Sequence, residues 1–395
     1  MAGPLTSLKV LDFSTLLPGP FGTMILADMG AEVVRVESPT RPDMIRMMPP
    51  LEHGVSAAHG YLNRSKKSLA LDLKKPEAVD AVKSLVKEFD IVVEQFRPGV
   101  MDRLGVGYEA LKAVNPDIIY CSITGYGQTG PYKNRAGHDM NYLSIAGVMG
   151  YNGRGSSGPA PIGVQVADVA GGSCHGVMGI LAAVIHRQQG GGGQYIDISM
   201  TDAAFSMHAL TAPPALVGGI QPELEATQLN GGSFYDCYET SDGRYFSVGG
   251  LEPQFFAQFC QALGHPEWSG RGLVLVPEEV KKLKADISGE MIKKTYQQWS
   301  DVFVDLDSCT EPVLSFEEAC EHPQIAAREL LVDVPIRDGS AETQRQIASP
   351  IRFSETQPEY HSIGARLGEH TDEILGKAGY SESDVESIKK AGAAM

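Results

Sequence analysis

Leu8-Lys-Val-Leu-Asp-Phe13, Phe21-Gly-Thr-Met-Ile-Leu-Ala-Asp-Met29 and Ala31-Glu-Val-Val-Arg-Val36 are the three consecutive segments on which the reading of the fold turns. The first and third are short, apolar and partly β-branched, which predicts buried strands. The middle one repeats its apolar residues at helical spacing and is stopped by Gly30, which predicts a helix over Phe21 to Met29. A strand, a helix and a strand in this order form a β-α-β unit, because parallel neighbours need a crossover of a dozen or more residues.

The same alternation continues outward. Pro76 suits a first helical turn, and Ala78, Val79, Val82, Leu85 and Val86 follow at helical spacing. Ile91 to Gln95 reads as a strand, Tyr108 to Val114 as a helix, and Asp117 to Thr124 as a strand that runs into Gly125-Tyr-Gly127. Repeated strand-helix units predict an α/β protein with an open, mostly parallel, doubly wound sheet. Beyond a Gly, Ser and Pro-rich loop at 147–163, Val169 to Arg187 reads as a buried helix. Glycines 190–193 stop it, and the strand Tyr195 to Ser199 follows. Pro213 and Pro214 interrupt the next helical stretch. These signals place a large α/β domain at 1–210, a linker at 211–225 and a smaller α+β domain at 226–330, with 331–395 completing the large domain. In the smaller domain Asp242-Gly243 predicts a hairpin turn, and helices are expected at Gln254–Leu263, Glu278–Lys294 and Gln297–Phe303. Ile347 to Phe353 reads as a strand, and Ser383 with Glu386 as the capping box of a C-terminal helix.

The 395 residues are 43% hydrophobic and 21% charged, which fits a globular chain and excludes a disordered one. The longest uninterrupted apolar run, Val177 to Ile185, is far shorter than the ~20 residues of a membrane span, so no membrane segment is expected. The start shows no basic segment before an apolar core, and a cytoplasmic location is expected. With 33 basic and 49 acidic residues the net charge is −16, which opposes binding to nucleic acid but leaves room for a local basic pocket. Six dispersed cysteines, with no zinc-like spacing, predict reduced thiols and no metal site.

Candidate chemistry gathers near strand ends. Pro18-Gly-Pro-Phe-Gly22 and Glu37 invite a nicotinamide dinucleotide reading, but the third glycine of that fingerprint is missing, and two prolines remove amides that would hold a pyrophosphate. Arg35, Arg64, Lys66, Lys67, Lys74, Arg97 and Arg103 are cations that could meet phosphates instead. Arg97 is the most pointed, because Phe96-Arg-Pro-Gly99 directly follows a strand, where open α/β sheets bind ligands. His138 and Asp139 precede an apolar helix, so Asp139 could be its N-cap. Asp168 precedes a buried helix, and an N-cap role there would keep it ionised. Alternatively, His138 and Asp168 form a two-base proton shuttle, with Gly171 and Gly172 admitting substrate to the backbone and helix amides stabilising an oxyanion. Glu252 opens the helix that carries Phe255, Phe256 and Phe259, where it complements the helix dipole or orients a histidine.

Beside this reading stands a resemblance. The Pro18-Gly-Pro turn, Ala31-Glu-Val-Val-Arg-Val-Glu37, Leu71-Asp-Leu-Lys74, Phe96-Arg-Pro-Gly99, Gly125-Tyr-Gly-Gln-Thr-Gly-Pro131, Thr310-Glu-Pro-Val-Leu314 and Gly368-Glu-His370 resemble the family III CoA-transferases. Within that superfamily Gly137-His-Asp139, Asp168 and Leu251-Glu-Pro-Gln-Phe255 look like the α-methylacyl-CoA racemases. The resemblance implies a Rossmann-like open-sheet domain plus a small domain, and two subunits interlocked as a homodimer. It implies an acyl-CoA substrate whose CoA meets Arg35, Leu71, Lys74, Phe96, Arg97 and Arg103, with no separate cofactor. It assigns His138 and Asp168 to α-proton exchange on a 2-methylacyl-CoA, with Asp139 beside them and Glu252 holding His138. The alternative it carries is transfer of CoA between carboxylic acids, with Asp168 as nucleophile. Departures are Ser38, where racemases carry an arginine, and Val164, where they carry an asparagine.

Overall fold

The computed structural model describes residues 3–395; Met1 and Ala2, at the start of the segment that lacks a secretory signal pattern, lie outside them. The chain forms two compact units. The first comprises residues up to Ala146, Ile162–Met207 and Ala326–Met395, and the second Gly147–Pro161 and His208–Ile325. The glycine-rich loop at 147–161 therefore groups with the second unit, where it forms a short hairpin, Gly153–Arg154 against Gly158–Pro159.

A six-stranded sheet lies at the centre of the first unit: β1 (Lys9–Asp12), β2 (Glu32–Glu37), β3 (Lys67–Ala70), β4 (Ile91–Glu94), β5 (Ile119–Thr124) and β6 (Tyr195–Ser199). They are parallel throughout, in the spatial order β6-β5-β4-β1-β2-β3. Val10 pairs with Val33 on one side and Ile91 on the other, so the strand order reverses at the boundary between β1 and β4. That reversal opens a crevice at the carboxyl ends of these two strands. Strand β3 was not expected, because the charges at Lys66 and Lys67 hide its short apolar stretch.

Helix α1 spans Pro18–Asp28, three residues earlier than its apolar spacing suggests. Both prolines fall in its first turn, where missing amides are no loss and a fixed φ is already helical. A second helix, α2 (Pro76–Leu85), buries Ala78, Ala81, Val82 and Leu85 against the sheet. The C-terminal helices α9 (Thr371–Lys377) and α10 (Glu382–Lys390) add Ile374, Leu375, Val385 and Ile388 to the same core. Helix α10 is capped by Ser381 with Asp384, not by Ser383 with Glu386, so it begins earlier than expected. Strand β11 (Thr343–Ile347) pairs with β10 (Leu331–Pro335) and ends at Ile347, in contrast to the expected strand to Phe353; Pro350 lies just beyond.

Opening as a π-helix over Ala167–Cys174, helix α4 then continues as an α-helix over His175–Gln188. It is 22 residues long and contains an 18-residue stretch of mean hydropathy 1.5, long and apolar enough to cross a bilayer by length and composition. Counting only uninterrupted apolar residues missed this. Here the helix packs on β5, α1 and α5 (Met200–Ser206): a Cβ at Gly172 would stand 3.0 Å from the Pro18 Cβ and 3.2 Å from the Ile123 Cγ2, and one at Gly171 3.3 Å from the Met200 carbonyl oxygen.

In the second unit, β7 (Asp236–Glu239) and β8 (Tyr245–Val248) form an antiparallel hairpin around Asp242-Gly243, and β9 (Thr310–Pro312) extends it. Helices α6 (Pro253–Leu263), α7 (Pro277–Met291) and α8 (Tyr296–Phe303) cover this sheet around Phe246, Phe256, Phe259 and Trp299.

Candidate active site

A cleft of about 540 Å³ occupies the crevice where the strand order reverses, within the range of small-molecule sites. One wall is the strap after β1, Leu16-Leu17-Pro18, and the next is the turn after β4, Gln95-Phe96-Arg97-Pro98. The end of β5, Lys133, Arg135, His138, Asn141, Tyr142 and Asp168 also line the cleft. The fold thus brings His138 and Asp168 into one cavity with Phe96 and Arg97.

Each wall is pinned by buried polar groups. Leu16 adopts a left-handed φ of 59°, a conformation costly for a branched residue, and its amide donates to Asp43 Oδ2 at 2.8 Å. Asp43 in turn pairs with Arg35, while Gly19 donates to Gln95 Oε1 at 3.0 Å and couples the strap to the neighbouring turn. Ser173, fully buried, lies 2.6 Å from the Pro18 carbonyl and 3.2 Å from that of Asp168.

His138 is the N-cap of helix α3 (Asp139–Ile145), and its amide donates to Asn141 Oδ1 at 3.0 Å, which leaves the imidazole exposed. Asp139 is therefore the first helical residue and not the cap. Its carboxylate accepts the Asp168 amide at 3.0 Å. Asp168 lies within the first turn of α4, behind the N-cap Val166, so its carboxylate does not cap the helix. Burial, reinforced by the negative charge of Asp139, lifts its pKa from 3.8 to about 6, while His138 pulls the other way. The expectation of a cap-stabilised anion thus fails, because desolvation dominates. Nearby Tyr142, whose hydroxyl donates to the Gly137 carbonyl, is pushed to about 12, first by burial and then by Asp168.

The glycines of α4 serve packing rather than substrate approach: Gly171 and Gly172 are buried against Met200, Pro18 and Ile123. The first helix amides are already occupied, with Asp168 donating to Asp139 and Val169 to the Gln165 carbonyl at 2.9 Å.

Of the residues expected to meet CoA, Phe96 and Arg97 line the cleft. Arg35 does not: it is 1% exposed, 3.2 Å from Glu37 and paired with Asp43, and it acts on the cleft by holding the strap. Burial alone would raise Glu37, but Arg35 and Arg46 outweigh it and hold that carboxyl at about 2. Leu71, also 1% exposed, belongs to the hydrophobic core beside Ala394. Lys74 and Arg103 are exposed outside the cleft lining. Two further cations, Arg64 and Lys66, are buried on Asp28 and Asp12. Sequence reading missed Lys133 and Arg135, exposed cations in the polar loop just before Gly137-His138. The Arg135 guanidinium sits 4.6 Å over the Tyr132 ring. Glu252 belongs to the second unit, exposed at the N-cap of α6 without a side-chain capping bond. Among the described residues no cluster of His, Cys, Asp or Glu is arranged to hold a metal ion.

Comparisons with known proteins place the chain in a family. The profile of CoA-transferase family III matches residues 5–371. The chain belongs to this family. The family III chain is 34% identical to the alpha-methylacyl-CoA racemase of Homo sapiens, over 96% of its own length and 95% of that protein. It is 33% identical to the succinate–glutarate CoA-transferase of Agrobacterium fabrum, over 94% and 95%. A solved CAIB/BAIF family protein from Brucella suis superposes with a TM-score of 0.82 at 30% identity, covering 96% of this chain and all of that one. As a family III member the protein is an enzyme of the racemase and CoA-transferase superfamily, consistent with an acyl-CoA substrate.

Proposed function

We propose that this enzyme interconverts the (R) and (S) forms of a 2-methylacyl-CoA thioester. The observation that carries the reading is that His138 and Asp168, two groups able to exchange a proton, line one cleft with Arg97 at its rim. The thioester carbonyl acidifies the α-carbon. One of the pair removes the α-proton, the electron pair moves onto the carbonyl oxygen as an enolate, and the other returns a proton to the opposite face. This requires one partner deprotonated while its opposite is protonated. A carboxyl whose pKa is about 6 is ionised at neutral pH yet holds a proton far better than an ordinary aspartate, which suits it to both directions. Asp139 supports the geometry by fixing the Asp168 backbone. Lys133 and Arg135 join Arg97 as cations for the phosphates of CoA. The reaction draws on no cofactor beyond the CoA of its substrate, and the enzyme works as a cytoplasmic homodimer.

A second reading is favoured by the CoA-transferases matched at nearly equal identity. There the Asp168 carboxylate attacks the acyl-CoA carbonyl and expels CoA thiolate, forming an anhydride. The thiolate then attacks the aspartyl carbonyl, releasing the acid and leaving an aspartyl-CoA thioester. The two readings separate in D₂O with pure 2-methylacyl-CoA enantiomers and no acceptor acid. Racemisation predicts α-deuterium uptake with inversion, reduced at least ~100-fold in His138→Ala, the usual scale of a lost general acid or base. No exchange, with CoA moving to an added carboxylic acid, would replace the proposal by transfer.

A further inference from the structure

Glu94 is 4% exposed and ends strand β4, two residues before Phe96 and three before Arg97. Its Oε2 accepts the Phe96 amide at 2.7 Å, and its Oε1 accepts the Ser122 hydroxyl. Ser122 is its register partner on β5, and the Ser122 oxygen accepts the Tyr195 hydroxyl of β6 at 2.9 Å. Tyr195, Ser122 and Glu94 thus form a chain across three strands in which every donor points toward the carboxylate. This polarity suits the ionised form, since a proton on either oxygen would compete with a donor already there. Such a chain is a costly feature in an apolar sheet. Burial pushes the Glu94 pKa to about 7, and no residue of the proton exchange described above requires it.

What the carboxylate holds is a turn. The Phe96 amide lies beyond the last residue of β4, and the Val100 amide closes the turn on the Arg97 carbonyl at 3.1 Å. Gly99, at φ 77°, starts the following short helix. We propose that Glu94 is a positioning residue for the ligand: by clamping the Phe96 amide it holds Phe96 and Arg97 in the conformation that receives the CoA moiety. The proposal rests on the reading of this cleft as a CoA site. Its energetic logic is preorganisation, in which a turn already fixed loses less freedom when the ligand arrives.

Calorimetric titration with free CoA tests this without depending on which reaction the enzyme catalyses. Glu94→Leu should weaken CoA binding about tenfold, the scale of one hydrogen bond to a charged group. Glu94→Gln keeps an oxygen for the Phe96 amide and should stay within about threefold of wild type. Because the clamp acts through Phe96 and Arg97, Glu94→Leu should add little to the loss already caused by the Phe96→Ala/Arg97→Ala pair. Full CoA binding by a folded Glu94→Leu protein, or loss factors that multiply when Glu94→Leu is added to that pair, would overturn the positioning role while leaving the CoA site intact. Absence of CoA binding by wild type would overturn the site reading and the proposal with it. Should Glu94→Leu fail to fold, hydrogen exchange on wild type decides: a clamped Phe96 amide exchanges as slowly as the β4 amides, and free exchange there refutes the clamp.

Discussion

Replacing Asp168 by asparagine should stabilise the protein at neutral and alkaline pH while abolishing proton exchange. The folded environment raises this carboxyl from 3.8 to about 6, mainly by burial. Folding therefore favours its protonated form. The protonated state carries no electrostatic cost below pH 4, and stability is lost as the pH rises from about 4 to 6. At about 1.4 kcal/mol for each tenfold change in proton affinity, that rise costs about 3 kcal/mol above pH 7 and about half of that at pH 5. The partial exposure of the side chain makes this an upper figure. Asparagine has nearly the same shape and no charge, so the variant escapes the cost. Scanning calorimetry of both proteins at pH 4 and pH 8 measures the difference. At roughly 2 °C per kcal/mol for a unit of this size, Asp168→Asn should melt about 5 °C higher at pH 8 and equally at pH 4. A gain of the same size at both pH values, or none at pH 8, would refute the argument that Asp168 is held as a strained anion.

Two further substitutions test how the walls of the cleft are held. A Cβ at Gly19 would collide with the Ser14 side chain and stand 2.7 Å from Gln95 Oε1. Gly19→Ala should therefore cost about 2 kcal/mol or more in a urea melt, and unchanged stability would show that the strap yields freely. Arg35→Met leaves Glu37 and Asp43 buried without their shared guanidinium. It should cost about 3 to 5 kcal/mol, seen as a lowered melting temperature; a weakened KM at unchanged stability would return Arg35 to direct contact with CoA.

Local patterns made much of the fold legible. Val10, Leu11, Val33, Val34, Val92 and Val93 lie in short apolar runs that alternate with stretches of helical spacing, the pattern of strands buried on both faces of a parallel sheet. Boundaries were less legible where one residue type serves two purposes. Pro18 and Pro20 looked like breakers of an anion cradle and are the first turn of a helix. Ser383 looked like a cap, but Ser381 holds the position. Arg35 shows a different limit, since a cation at a strand end reads as a ligand contact until Asp43 and Glu37 are seen to enclose it.

Sequence alone showed the strand-helix alternation, the residue types at His138 and Asp168, and the family to which they point. Motifs are local, and each fits within a few adjacent residues. Tertiary structure alone decided that Asp139, 29 residues away, would take the Asp168 amide, and that Glu94 would meet Ser122, 28 residues away on the next strand. It also set the burial that lifts Asp168 to about 6. Desolvation and hydrogen-bond partnership depend on atoms brought together across the sheet, and one-dimensional spacing carries no record of them.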